Sequence, residues 1–279
     1  MGILDRATAL FGAGTAQATV PPTGLGRGEV EARLREGVRS LARLDLSGAD
    51  LAEMDLEGVD LSEAKLRGAN LRGANLRGAD LTEAQLCSTD LSGAVLENAV
   101  LRNVNCLRTG ALRPPRLDGA NLTGADLSGA ELNNASFDGA TLTGALLENA
   151  GLGQANLTGV HAGGARLKGA NLRHARLDAA TFSGAQLDAA DLTRASAHGV
   201  NLSGASLVRA NLTGAGLQGA DLSGAVLRDA QLDDAVLRGA NLRGASFAGA
   251  DLDGADLDGA DTEGADFAGA HNRPRAAAV

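Results

Sequence analysis

From Leu46 to Leu101, and again from Leu117 onward, a leucine or a substitute for it stands at every fifth position. A period of five matches neither the roughly 3.6-residue repeat of an α-helix nor the strict alternation of a long strand. With each central leucine taken as position i, i−2 is nearly always alanine, as at Ala49, Ala69, Ala74, Ala120 and Ala125, with Met54 and Val59 as exceptions. Position i−1 is usually Asp or Asn, i+1 is polar, and i+2 is very often Gly.

This pattern fits a short extended piece followed by a corner. Residues two apart in an extended chain point the same way, so i−2 and i both face inward while i−1 faces solvent. Positions i+1 and i+2 then turn the chain, and glycine at i+2 suits a turn with positive φ there. If each unit turns the chain by about 90°, four units close a square coil, and coils stack at about 4.8 Å with backbone bonds between them. A shaft so narrow admits little beyond alanine at i−2. Phe137, Phe182, Phe247 and Phe267 take the place of leucine at i as local fillers.

The composition agrees. Tyr and Trp are absent, only 5 Phe occur, and 39 residues are Gly, so a core of interlocking aromatics is excluded. The formal net charge of −9 disfavours nucleic acid and anionic membranes as direct partners. Residues 1–116 carry a net charge of −1 and residues 117–279 carry −8. Two cysteines do not make a disulfide framework. The start "MGILDRATALF" has no long apolar run, so a cytoplasmic location is expected.

The strings "ANLRGANLRGADL", "ADLSGAELNNASF" and "ADLDGADLDGADTEGADF" resemble the pentapeptide-repeat family, with A-[D/N]-L-x-x in tandem over roughly residues 44–269. The resemblance implies an all-β solenoid, a right-handed quadrilateral parallel β-helix. For this length that means about eleven coils, with an N-terminal capping helix. It also implies non-catalytic protein binding. Some members bind DNA gyrase or topoisomerase IV as DNA mimics and protect it from inhibitors, and some dimerise through the C-terminal coil. The other reading is a rigid scaffold or adaptor that docks partners through its N-terminal peptide and a projecting loop.

The organisation expected is a flexible segment over 1–28, a capping helix over 29–43 with Val30, Leu34, Val38 and Leu41 on one face, a first block over 44–106, a projecting loop over 107–116, a second block over 117–269 and a disordered tail over 270–279. The loop is read from a slip in phase between Cys106 and Leu117. Pro115 would fall at i−2, and a parallel ladder is expected to need that N–H. On the faces through Leu117 and Leu122 the i+2 residues are almost all Gly. The other two faces carry Asn134, Gln154, His174, Arg194, Asn149, Arg209, Asp229 and Asp234, which predicts that turn type segregates by face.

No active site is legible. His161, His174 and His198 fall at i−1, i+2 and i+1 on different sides, and Cys87 at an exposed i+1 is not expected to pair with Cys106 at a core position. No catalytic, metal or cofactor residue is assigned. Candidate partner-binding residues are Arg108, Arg113, Pro114, Pro115 and Arg116 in the loop, and Asp118, Asp138, Asp178 and Asp258 in one i+1 column. At the acidic tip they are Asp251, Asp253, Asp256, Asp258, Asp261, Glu263 and Asp266, where no Lys or Arg occurs from Gly244 to Ala270. An open C-terminal edge at Phe267 suggests a homodimer.

Overall fold

The computed structural model describes residues 24–106 and 113–272. The expectations for residues 1–23, for loop residues 107–112 with Arg108, and for the tail from 273 lie outside the described residues.

Parallel bridges run from Ser40↔Asp60 to Asp251↔His271, and away from the slip each joins residues 20 apart. The chain is therefore a coil of four five-residue sides per turn. The unit Asp50 to Met54, with its counterpart in the next coil, shows where the backbone N–H of each position goes. Asp50 is i−1, and its counterpart above, Asn70, donates to Ala49 O at 2.9 Å; Leu51 at i donates upward to Asn70 O at 2.7 Å. Glu53 at i+2 donates upward to Arg72 O at 2.8 Å, and Met54 closes the corner onto Leu51 O at 3.2 Å. The fifth donor, Ala52 at i+1, is taken by Asp50 Oδ1 at 3.3 Å. Asp or Asn at i−1 is thus more than a solvated residue, because its side chain caps the turn that follows.

The core is the expected shaft of Leu at i and Ala at i−2, and Phe137, Phe182 and Phe247 are buried in it. The turns differ from expectation. Residues at i+2 have φ near +60° on every face, whether Gly219 (64°), Arg194 (55°), Asp234 (55°) or Ala189 (56°). Residue type segregates by face, but turn type does not: the four corners repeat one geometry, so the ladder imposes left-handed φ on any residue there. A Cβ in that region costs about 1–2 kcal/mol. Ala189→Gly is therefore expected to raise stability by about 0.5–1 kcal/mol after the unfolded-state entropy of glycine is deducted. Gly219, where an added Cβ would meet nothing within 4 Å, should lose a similar amount as Gly219→Ala. Urea midpoints moving in the same direction for both variants would refute this.

At the N-terminal end α1 spans Arg27–Arg35, shorter than the expected 29–43. Gly37, with φ 81°, ends it, its N–H bonding Leu34 O while Val38 N–H bonds Arg33 O. Val30 is buried in the shaft's core and Leu34 packs against it, but Leu41 belongs to the first coil, donating to Asp60 O at 2.7 Å.

Across the slip, Asp90 pairs with Arg116, Val95 with Asn121 and Val100 with Asp126, a step of 26 rather than 20. One coil thus carries six extra residues at a single corner. The ladder resumes at Arg116, the last residue of the expected loop. Pro115 does sit at i−2, buried, with its carbonyl accepting from Ser136 N–H at 3.2 Å. The expectation that proline is barred there fails for a simple reason. The i−2 N–H closes a corner and never joins the ladder, and at this corner the chain departs instead of turning.

Candidate functional site

The inserted corner is built on two consecutive residues of the coil below. Cys87 and Cys106 form a disulfide with Cα atoms 4.6 Å apart, contrary to the expectation that they stay unpaired. In the regular repeat a residue at i, such as Cys106, points inward and one at i+1, such as Cys87, is exposed. Where the chain leaves the coil, Cys106 is only half-buried, whereas Cys87 is 1% exposed. Ser88 N–H donates to Arg113 O at 2.7 Å, and Arg113 N–H donates to Ser88 Oγ at 2.9 Å. Arg113 is exposed and Pro114 half-buried; the Arg116 guanidinium lies 2.9 Å from Asp118 and 3.7 Å from Asp90.

Asp118, Asp138, Asp178 and Asp258 do share one face, but two of them have structural work. Where Ser136, Ser196 or Ser206 occupies i−1, no carboxamide or carboxylate is there to cap the following N–H. The i+1 aspartate of the coil below supplies the acceptor instead. Asp118 Oδ1 takes Asp138 N–H at 3.2 Å, Asp178 Oδ1 takes His198 N–H at 3.0 Å, and Asp188 Oδ1 takes Val208 N–H at 3.0 Å. The serine hydroxyl donates to the same oxygen in each case. Asn133 does likewise from the coil below for Gly153 N–H at 2.8 Å, in a unit whose i−1 is Gly151.

Asp178, Ser196 and His198 bring together the residue types of a hydrolytic triad. Ser196 Oγ donates to Asp178 Oδ1 at 2.6 Å, and His198 Nδ1 lies 2.9 Å from Ser196 Oγ and 2.8 Å from Asp178 Oδ1. Both partners meet the same imidazole nitrogen and the hydroxyl proton already goes to the carboxylate, so no relay through the ring exists. Burial opposes ionisation of Asp178, but the hydrogen bonds from Ser196 and His198 outweigh it and hold the carboxyl below the usual range. Among the described residues no group of three or more His, Cys, Asp or Glu could hold a metal ion.

The acidic tip lies on one coil. Asp251, Asp256, Asp261 and Asp266 occupy i−1 on its four sides, and each caps the N–H two residues on, of Asp253, Asp258, Glu263 and Ala268. The tip is not without counter-ions, as the sequence suggested. Arg238 pairs with Asp256, and Arg243 lies 3.0 Å from Asp261 and within reach of Glu263, both arginines rising from the coil below. The Arg238 bond draws the Asp256 carboxyl below its ordinary range, and the Glu263 N–H followed by Arg243 does so for Asp261. Phe267 stacks on Phe247 with centroids 5.0 Å apart; with Leu257, Ala260 and Ala270 it is only partly buried in the last described coil.

A family model for pentapeptide repeats matches in 8 copies, over residues 40–78, 79–109, 116–154, 155–194, 190–229 and 230–269. The chain belongs to the pentapeptide-repeat family. Solved pentapeptide-repeat structures similar to it include HetL from Nostoc sp. strain PCC 7120, involved in heterocyst differentiation regulation. HetL is 33% identical over 88% of this chain and 96% of that chain, with a TM-score of 0.35. Rfr23 from Cyanothece 51142 is 35% identical over 36% of this chain and 63% of that chain, with a TM-score of 0.24. Trypsin-treated QnrB1, a plasmid-mediated fluoroquinolone resistance protein, is 19% identical over 78% of this chain and 88% of that chain, with a TM-score of 0.23. No curated protein matches.

Pentapeptide-repeat proteins fold as right-handed β-helices, which agrees with the coil seen here. Within that frame the acidic column and tip fall on one face and one coil, and what holds them was not anticipated. The signal was present: Ser136, Ser196 and Ser206 each follow an aspartate by 18 residues, the spacing that sets the serine above it.

Proposed function

We propose that this pentapeptide-repeat protein is a non-catalytic binding rod. Its most specific partner is a type II topoisomerase such as DNA gyrase, whose duplex-binding groove the acidic end would occupy as a DNA mimic, protecting the enzyme from inhibitors. The observation that carries this reading is the last acidic coil, where Asp251, Asp256, Asp261 and Asp266 are held by the backbone on all four sides. Carboxylates fixed before binding lose little freedom on docking to a basic groove. Asp253 and Asp258, exposed at i+1, extend the same field outward. A cytoplasmic location and pairing of two copies through the C-terminal coil belong to the same proposal.

The test is a pull-down against gyrase subunits at low salt, followed by a supercoiling assay with and without a gyrase poison. The wild-type chain should bind and preserve supercoiling in the presence of the poison. Asp253→Lys, Asp258→Lys and Glu263→Lys combined should weaken binding by at least about 30-fold, because rim charges of one sign act together. Absence of binding at low salt removes mimicry, since screening cannot be blamed. If removal of residues 1–28 abolishes partner capture and the lysine triple does not, the adaptor reading replaces it.

A further inference from the structure

We propose that the Cys87–Cys106 pair is a redox latch that holds or frees the base of the inserted corner while leaving the rod intact. Cys106 stands at i and Arg113 takes the place of i+1, accepting from Ser88 N–H, so the six extra residues fall between them; both are fastened to the neighbours Cys87 and Ser88. Cys106 Sγ lies 3.6 Å from the Arg113 carbonyl, so one corner gathers the disulfide and the returning backbone.

The coils on either side do not depend on the sulfur bond. Leu86 N–H reaches Asn105 O at 2.9 Å, Arg116 N–H reaches Thr89 O at 3.0 Å, and Leu91 N–H reaches Arg116 O at 2.7 Å. What the corner lacks is the ordinary fastening of a repeat. Asn105 Oδ1, whose counterparts cap the next turn, is buried without a hydrogen-bond partner among the described residues. The disulfide therefore stands where the cap and the turn bond would otherwise fix the chain after position i.

Position also decides how the latch opens. Cys87 is 1% exposed, whereas Cys106 is half-buried. A dithiol reductant would attack Cys106 Sγ through its thiolate, forming a mixed disulfide and expelling Cys87 Sγ as a thiolate that takes up a proton. The reductant's second thiol then displaces Cys106 as a thiol, so two electrons reach the protein and the reductant leaves as a disulfide.

The experiment is residue-resolved hydrogen exchange on the full chain, air-oxidised and after dithiothreitol. The Ser88 and Arg113 amides should exchange at least about ten-fold faster after reduction, while core amides such as Leu187 and Asp191 keep their rates. Cys106→Ala and Cys87→Ser should each match the reduced wild type and ignore dithiothreitol. Two titratable thiols in the oxidised sample, unchanged exchange at Ser88 and Arg113, or acceleration along the whole rod would each overturn the latch.

Discussion

Leu147→Asp is expected to cost about 4–5 kcal/mol, while Leu146→Asp, one residue away, leaves the protein as stable as before or slightly more stable. Leu147 stands at i with no exposed surface, its N–H bonded to Arg166 O at 2.7 Å. A carboxylate there has neither water nor a donor, since every backbone N–H around it is already committed. Each coil touches only its neighbours, so the defect is not shared along the rod. Urea unfolding should split into two transitions as the parts on either side melt separately. Leu146 points outward at i−1, half-buried, in the position other units fill with Asp or Asn. Aspartate there brings a cap within reach of the Glu148 N–H, worth about 0.5–1 kcal/mol. Equal losses for the two variants would mean that i and i−1 do not face opposite ways.

The same alternation explains how much could be read from the chain alone. Inward Leu and Ala, outward Asp and Asn, and a corner at i+1 and i+2 follow from positions within one unit, and all are present. Some of the missed features depend on residues a coil apart. Asp178 caps the His198 N–H because Ser196 stands above it, a relation no single unit contains. Pro115 was misjudged because the destination of the i−2 donor, a corner rather than the ladder, is visible only once all five N–H groups are traced. Cys106 was assigned inward by a periodicity that holds only while the chain goes on to the next corner. Glycine-rich and glycine-poor faces were read as different turns, yet Arg194 and Gly219 adopt the same sign of φ. The proposed partner surface is the least legible part, since the acids assigned to it serve the fold first.

Because those acids cap the backbone, stability is expected to depend on pH in two opposing ways. Between pH 7 and the sequence pI near 4.9 the excess negative charge falls, and with it the self-repulsion of the acidic half, so stability should hold or rise. Below about pH 4 it should fall steeply. Asp45 and Asp60 are held below their ordinary range by Ser47 and Ser62; in Asp126 and Asp191 burial opposes ionisation, but Ser128 with Arg102, and Thr193 with Arg173, prevail. A carboxyl with a depressed folded pKa binds its proton more readily when unfolded. Its contribution is therefore present above the unfolded pKa and is lost as pH drops through the folded one. The sequence itself offers the control. Asn121 and Asn156 cap Thr123 and Thr158 through Oδ1 at 3.1 and 3.2 Å, doing without a charge what Asp does elsewhere. Combining Asp45→Asn, Asp60→Asn, Asp126→Asn and Asp191→Asn should keep the caps and remove four of the protons that drive acid unfolding. The midpoint of acid unfolding, followed by circular dichroism, should then move down by about half a pH unit. A midpoint that stays put or rises would show that these carboxyls act through charge pairing with Arg102 and Arg173 and not through the turns they cap.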